Sequence, residues 1–121
     1  MYHMNKKQEA NAIVIESITQ ALLELMKVKD FSSITVTDLT KRAGVGRVSF
    51  YRNFESKEDV IRKHLAALLE EWLKPYEGRT DYNWSEVILE YYFKNKDLYI
   101  MLYRQGLAHI SLQSVKDACG P

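Results

Sequence analysis

Arg47, Val48, Tyr51 and Arg52 fall within six consecutive positions, and Lys57 follows five residues later. Together these side chains could bind a polyanion and read it. Arginine grips guanine O6 and N7 with two parallel hydrogen bonds, and valine covers a thymine methyl. Tyrosine and lysine suit phosphate contacts, which set register without reading sequence. Each residue also has a plainer reading. Tyr51 could be an ordinary packing aromatic and Lys57 a solvated surface charge. A cation in a helix's first turn is electrostatically disfavoured, however, so Lys57 calls for a reason beyond helix stability, and a phosphate supplies one.

The surrounding pattern supplies the elements that would position them. Val36 to Phe54 reads as two short helices joined by a tight turn, a shape that fits a DNA major groove. Thr37 is expected to cap the first of these, with Asp38 in its positive first turn. Leu39 and Ala43 share its inner face, and Gly44 ends it. The next helix runs from about Gly46 to Asn53. Phe50 and Phe54, four apart, lie on its inner side, and Val48, Ser49, Arg52 and Asn53 are expected to point away from them. Upstream, Val14, Ile18, Ala21, Leu22, Leu25 and Met26 follow the i, i+3, i+4 spacing of an amphipathic helix ending near Lys29 and Asp30. Phe31, Ile34 and Val36 anchor a connector. Ser56, with Asp59 three residues on, predicts a capping box opening a long helix with an Ile61, Leu65, Leu68, Leu69, Trp72 stripe that Pro75 stops.

At 121 residues, 46% hydrophobic and 27% charged, the chain suits a packed protein rather than a disordered one. The net charge of +1 hides an uneven distribution. Lys41 to Lys63 carries seven basic and three acidic residues, whereas the chain from Leu65 onward carries six basic and eight acidic ones. One end therefore suits a polyanion and the other different work. The lone Cys119 excludes an intramolecular disulfide and fits a reducing compartment. Lys6, Lys7 and Glu9 interrupt any leader-like apolar run, and no stretch approaches the ~20 apolar residues of a membrane helix. A cytoplasmic protein with no membrane partner is expected.

Thr37, Lys41, Ala43, Gly44 and Val45, followed by Phe50-Tyr51-Arg52-Asn53-Phe54 and Ser56-Lys57-Glu58-Asp59, resemble the N-terminal domain of TetR/AcrR-type transcriptional regulators. The match is most specific from Ile34 to Val60. The family usually has alanine at the position of Thr40 and serine at that of Gly46. The resemblance implies that Thr37 meets a phosphate and that Arg47, Val48, Ser49 and Arg52 face base edges. Tyr51 would place its hydroxyl on the backbone, and Lys57 would clamp another phosphate. It further implies an all-α fold: a three-helix helix-turn-helix domain over residues 1–64, joined by a long fourth helix to a C-terminal helical domain over 65–121. The latter would serve ligand binding and dimerisation, and it is short for the family. The implied protein is a repressor that binds a palindromic double-stranded DNA operator as a homodimer and is released by a small-molecule inducer.

Beyond Leu65, Ser85 is expected to cap a helix through Asn95 and Asp97 another that ends at Gly106, with a last helix from Ala108 to Ala118. This half is rich in aromatics, which offer a flat apolar body with a polar edge. Trp72, Tyr76, Tyr91, Tyr92 and Tyr103 are the candidates for a small-molecule pocket, with ordinary core packing as the competing role. The C-terminal helices could instead dock a protein partner. Chemistry of other kinds finds no footing. His3, His64 and His109 have no metal-ligand neighbours, and no nucleophile elbow, His-Glu-x-x-His or paired-cysteine motif occurs. Neither a catalytic residue, a metal nor a cofactor is expected.

Overall fold

A computed structural model describes residues 5–118; His3 and Cys119 lie outside that range. Seven α-helices follow one another, and no strand occurs among the described residues. They are α1 (Lys6–Met26), α2 (Val36–Ala43), α3 (Arg47–Asn53), α4 (Lys57–Leu73), α5 (Trp84–Lys94), α6 (Lys96–Arg104) and α7 (Ala108–Ala118). Single 3-10 turns occupy Phe31–Ser33 and Lys74–Tyr76. The chain divides into two compact units, residues 1–61 and 62–121.

In the first unit, α1, α2 and α3 pack on one another. The α1 stripe supplies Ile18, Ala21, Leu22 and Met26 to the core, where they join Leu39, Phe50 and Phe54. Phe31 and Ile34 are buried and anchor the connector as expected, whereas Val36 is half-buried and already opens α2. Each of the larger of these side chains contributes roughly 1.5–3 kcal/mol of hydrophobic stabilisation when fully removed from water.

The start of α2 corrects the expected cap. Thr35, not Thr37, is the N-cap: its hydroxyl accepts from the Asp38 amide at 3.0 Å, and the Asp38 carboxylate accepts from the Thr35 amide at 2.9 Å. This reciprocal pair is a capping box, and it moves Thr37 into the second position of the helix. Two hydrogen bonds from Thr35 and one from Lys29 hold the Asp38 carboxyl below its ordinary pKa, the backbone bond of Thr35 contributing most. Gly44 closes the helix at φ +72°, the left-handed region that glycine alone enters without strain, and the Val45 amide donates to the Thr40 carbonyl at 3.0 Å. Thr40 is itself buried, its hydroxyl donating to the Thr37 carbonyl at 3.2 Å, so the larger side chain fits.

At the start of α4 the Asp59 amide donates to the Ser56 hydroxyl at 3.2 Å, but the Asp59 carboxylate accepts from the Glu55 amide at 3.0 Å rather than from Ser56. The expected box is thus shifted by one residue on its return arm.

In the second unit, α5 packs on α6 and α6 on α7. Asn83 caps α5, accepting from the Glu86 amide at 3.2 Å, so the helix begins ahead of the expected Ser85. Asn95 separates α5 from α6, which starts at Lys96 and places Asp97 inside its first turn rather than at its cap.

Candidate nucleic-acid interface

The recognition-like helix α3 is only seven residues long, so its exposed face depends on what its buried face grips. Phe50 is fully buried at 0% exposure, and its ring lies 5.6 Å from that of Phe54. The opposite side stands in water: Val48 is 73% exposed and Tyr51 51%, with Arg47 and Arg52 exposed beside them. The Tyr51 ring meets Phe50 edge-on at 5.1 Å, which fixes its base while the rest reaches outward.

Three of the expected contact residues are brought together. The Arg47 guanidinium donates through Nη1 to the Thr37 hydroxyl at 2.9 Å and lies 5.8 Å from the centre of the Tyr51 ring. That geometry joins the first turn of α2 to the first turn of α3. Gly46 precedes Arg47 in extended backbone with no side-chain cap, so the first amides of α3 gain no bond from that residue's side chain.

Ser49 is half-buried, and its carbonyl accepts from the Asn53 amide group at 2.9 Å. Asn53, expected to point outward, instead faces α1. It exchanges two side-chain hydrogen bonds with Asn11, at 2.9 and 3.0 Å. The pairing joins residues 42 apart, and nothing local in the sequence signals it.

Lys57, expected to clamp a phosphate, is engaged within the protein. Its ammonium donates to the Phe31 carbonyl at 2.6 Å and the Ile34 carbonyl at 2.9 Å, and it sits 4.5 Å from the Phe31 ring centre. The cation is half-buried and ties the start of α4 to the connector leading into the Thr35 cap. Two of its three N–H bonds are therefore used within the protein.

Charge pairing sharpens the picture. Lys29 pairs with Asp38 at 3.3 Å and Arg42 with Glu24 at 2.7 Å, whereas no ion pair engages Arg47 or Arg52 among the described residues. Exposed pairs of that kind add little stability, but they cancel charge locally. The cations of α3 keep theirs.

The aromatic candidates of the second unit fall in three places, Trp72, Tyr91 and Tyr92 together and Tyr76 and Tyr103 each apart. Tyr91 is 1% exposed, and its hydroxyl lies 2.6 Å from that of Tyr99. Burial pushes both phenols above their ordinary pKa. Trp72 donates its indole N–H to the Val87 carbonyl at 2.9 Å, and Tyr92 packs edge-on against Tyr91 and Tyr99. Tyr76 belongs to a separate pair with Tyr82, their rings 4.9 Å apart, and Tyr103 is 75% exposed. A groove of about 410 Å³ in this unit is lined by other residues, among them Ala66, Glu70, Leu73 and Ser114. Among the described residues no cluster of three metal-ligating side chains occurs, and no helix is long and apolar enough to cross a membrane.

This geometry, a capped short helix followed across a glycine turn by a second with a cationic outer face, is a helix-turn-helix. Residues 18–63 match the family described as bacterial regulatory proteins, tetR family. Two relatives carry names of that class. The HTH-type transcriptional regulator AlkX of Mycobacterium tuberculosis (strain ATCC 25618 / H37Rv) is 24% identical over 76 residues, covering 63% of this chain and 36% of its own. The uncharacterized HTH-type transcriptional regulator YvdT of Bacillus subtilis (strain 168) is 28% identical over 102 residues, covering 77% of this chain and 52% of its own. The chain thus matches about a third to a half of the length of these relatives. No solved structure matches it.

Proposed function

We infer that this chain is a DNA-binding transcriptional regulator that inserts α3 into the major groove. The observation that carries the reading is the two-sided character of α3: Phe50 fully buried behind it, and Val48, Tyr51 and two arginines outside any ion pair among the described residues exposed in front. Arg47, Val48, Ser49 and Arg52 face base edges; Thr37 and Tyr51 hold the backbone and set register. Lys57 contributes chiefly by fixing the entry to α2. The protein acts in the cytoplasm as a homodimer, with its recognition helices about one helical turn, ~34 Å, apart on a palindromic operator. It represses by occupancy, and a small molecule held by the C-terminal helices releases it by preferring the conformation that does not fit the operator.

A second reading of the C-terminal helices has its own support. Leu89, Phe93 and Tyr103 are exposed apolar side chains on α5 and α6, which suits docking of a protein partner in place of a small ligand.

Selection from a random duplex library tests the main reading. The expected outcome is enrichment of an inverted repeat bound by two chains per duplex. Failure to retain any duplex at low ionic strength refutes it. Thermal shifts with lipophilic and cationic compounds separate the two C-terminal readings, since saturating stabilisation requires a pocket.

A further inference from the structure

The matched family segment begins at residue 18, leaving the first three turns of α1 without an assigned role. Those turns form one wall of a groove of about 450 Å³ lined by Lys7, Gln8, Asn11, Val14, Ser49 and Arg52. The other wall is the flank of α3. We propose that this groove seats the phosphodiester backbone of the DNA duplex beside the recognition helix, with Lys7 supplying the charge. The proposal rests on the reading of α3 as a groove-inserted helix and extends the contact surface beyond it.

Three observations carry it. First, Lys7 is exposed, and no ion pair engages it among the described residues, so its charge is available to an anion. Second, the groove is continuous with the α3 face, because Ser49 and Arg52 belong to both. Third, its walls are fastened together. The two Asn11–Asn53 hydrogen bonds hold the second turn of α1 against the last residue of α3, so a strand gripped by Lys7 is held in fixed register with the bases facing α3. Gln8 is bound to Asn5 in the α1 capping box, which keeps that wall helical to its first turn. A duplex backbone is the occupant that fits, being a continuous line of negative charge that must pass beside any helix lodged in the major groove.

The test compares the salt dependence of duplex affinity for the full chain, Lys7→Gln and the control Lys27→Gln. Lys27 is exposed at the far end of α1, about 30 Å along the helix from Lys7. Each neutralised phosphate contributes about 0.9 to the slope of log affinity against log salt. Lys7→Gln is therefore expected to lower the slope by about 0.9 and to weaken binding about eightfold at 0.1 M salt, equally for every duplex sequence. Lys27→Gln is expected to change neither. Equal slopes for Lys7→Gln and the unsubstituted chain overturn the groove while leaving the α3 reading intact. An unsubstituted chain that binds no duplex removes both.

Discussion

Replacing Lys57 with methionine separates two roles that sequence resemblance alone cannot distinguish. In the structure the ammonium makes charge-assisted hydrogen bonds to the Phe31 and Ile34 carbonyls at 2.6 and 2.9 Å. Hydrogen bonds to charged groups contribute about 1.5–3 kcal/mol each to stability. Methionine keeps the aliphatic stem beside the Phe31 ring, and the half-exposed site lets water recover part of the loss. A net destabilisation of about 2–3 kcal/mol is expected, lowering the melting temperature on the order of 10 °C for a domain of this size. Denaturant or thermal unfolding followed by circular dichroism measures it. In parallel, the slope of log affinity for duplex DNA against log salt should stay within error of the unsubstituted value, because no phosphate charge has been removed. A drop of about 0.9 in that slope with stability unchanged would refute the reasoning and make Lys57 a phosphate clamp.

Other substitutions probe the supports of the same face. Phe50→Ala, at a fully buried site, should cost about 3–5 kcal/mol and abolish duplex binding through loss of the α3 anchor, as urea unfolding and binding titration would reveal. Thr35→Ala should cost about 1 kcal/mol by removing the α2 cap, measured by the same unfolding curves. Because the folded-state pKa of Asp38 is depressed, its contribution is present above its unfolded value near ~3.9 and is lost as pH falls through the folded value. The stability difference between the unsubstituted chain and Asp38→Asn should accordingly shrink on acidification below about pH 4. Tyr99→Phe should destabilise the second unit by about 1–2 kcal/mol, since it strips the buried Tyr91 hydroxyl of its partner.

Much of the fold was legible because its signals are local. Gly44 could be read as a helix end because few other residues tolerate the left-handed turn it makes, and the spacing of Ile18, Leu22 and Met26 marked the buried face of α1. The misplaced caps were legible too. Thr35 has Asp38 three residues on, and Asn83 has Glu86, which is the reciprocal pattern of a capping box; Thr37 and Ser85 lack it. The exposure of Val48 and Arg52 followed from the helical step away from Phe50 and Phe54, whereas Asn53, given the same outward side by that step, faces α1. What could not be read were partnerships across long separations. Lys57 reaches carbonyls 26 and 23 residues earlier, and Asn53 pairs with Asn11 across 42. Backbone carbonyls carry no sequence signature, and an amide pair needs the tertiary fold to bring it together. The aromatics after Leu65 stayed ambiguous for a related reason. Helical spacing tells which rings share a face but not which face is covered, so Tyr91 and Tyr103 were indistinguishable until packing separated them.

The central claim, that the outward face of α3 reads base sequence, is tested most directly by Arg52→Ala and Arg47→Ala against a selected duplex and its single-base variants. Each arginine is expected to lose about 1–3 kcal/mol on the selected site and to relax preference at the position it reads, leaving discrimination elsewhere intact. Variants that bind every duplex with the affinity and ranking of the unsubstituted chain would contradict it.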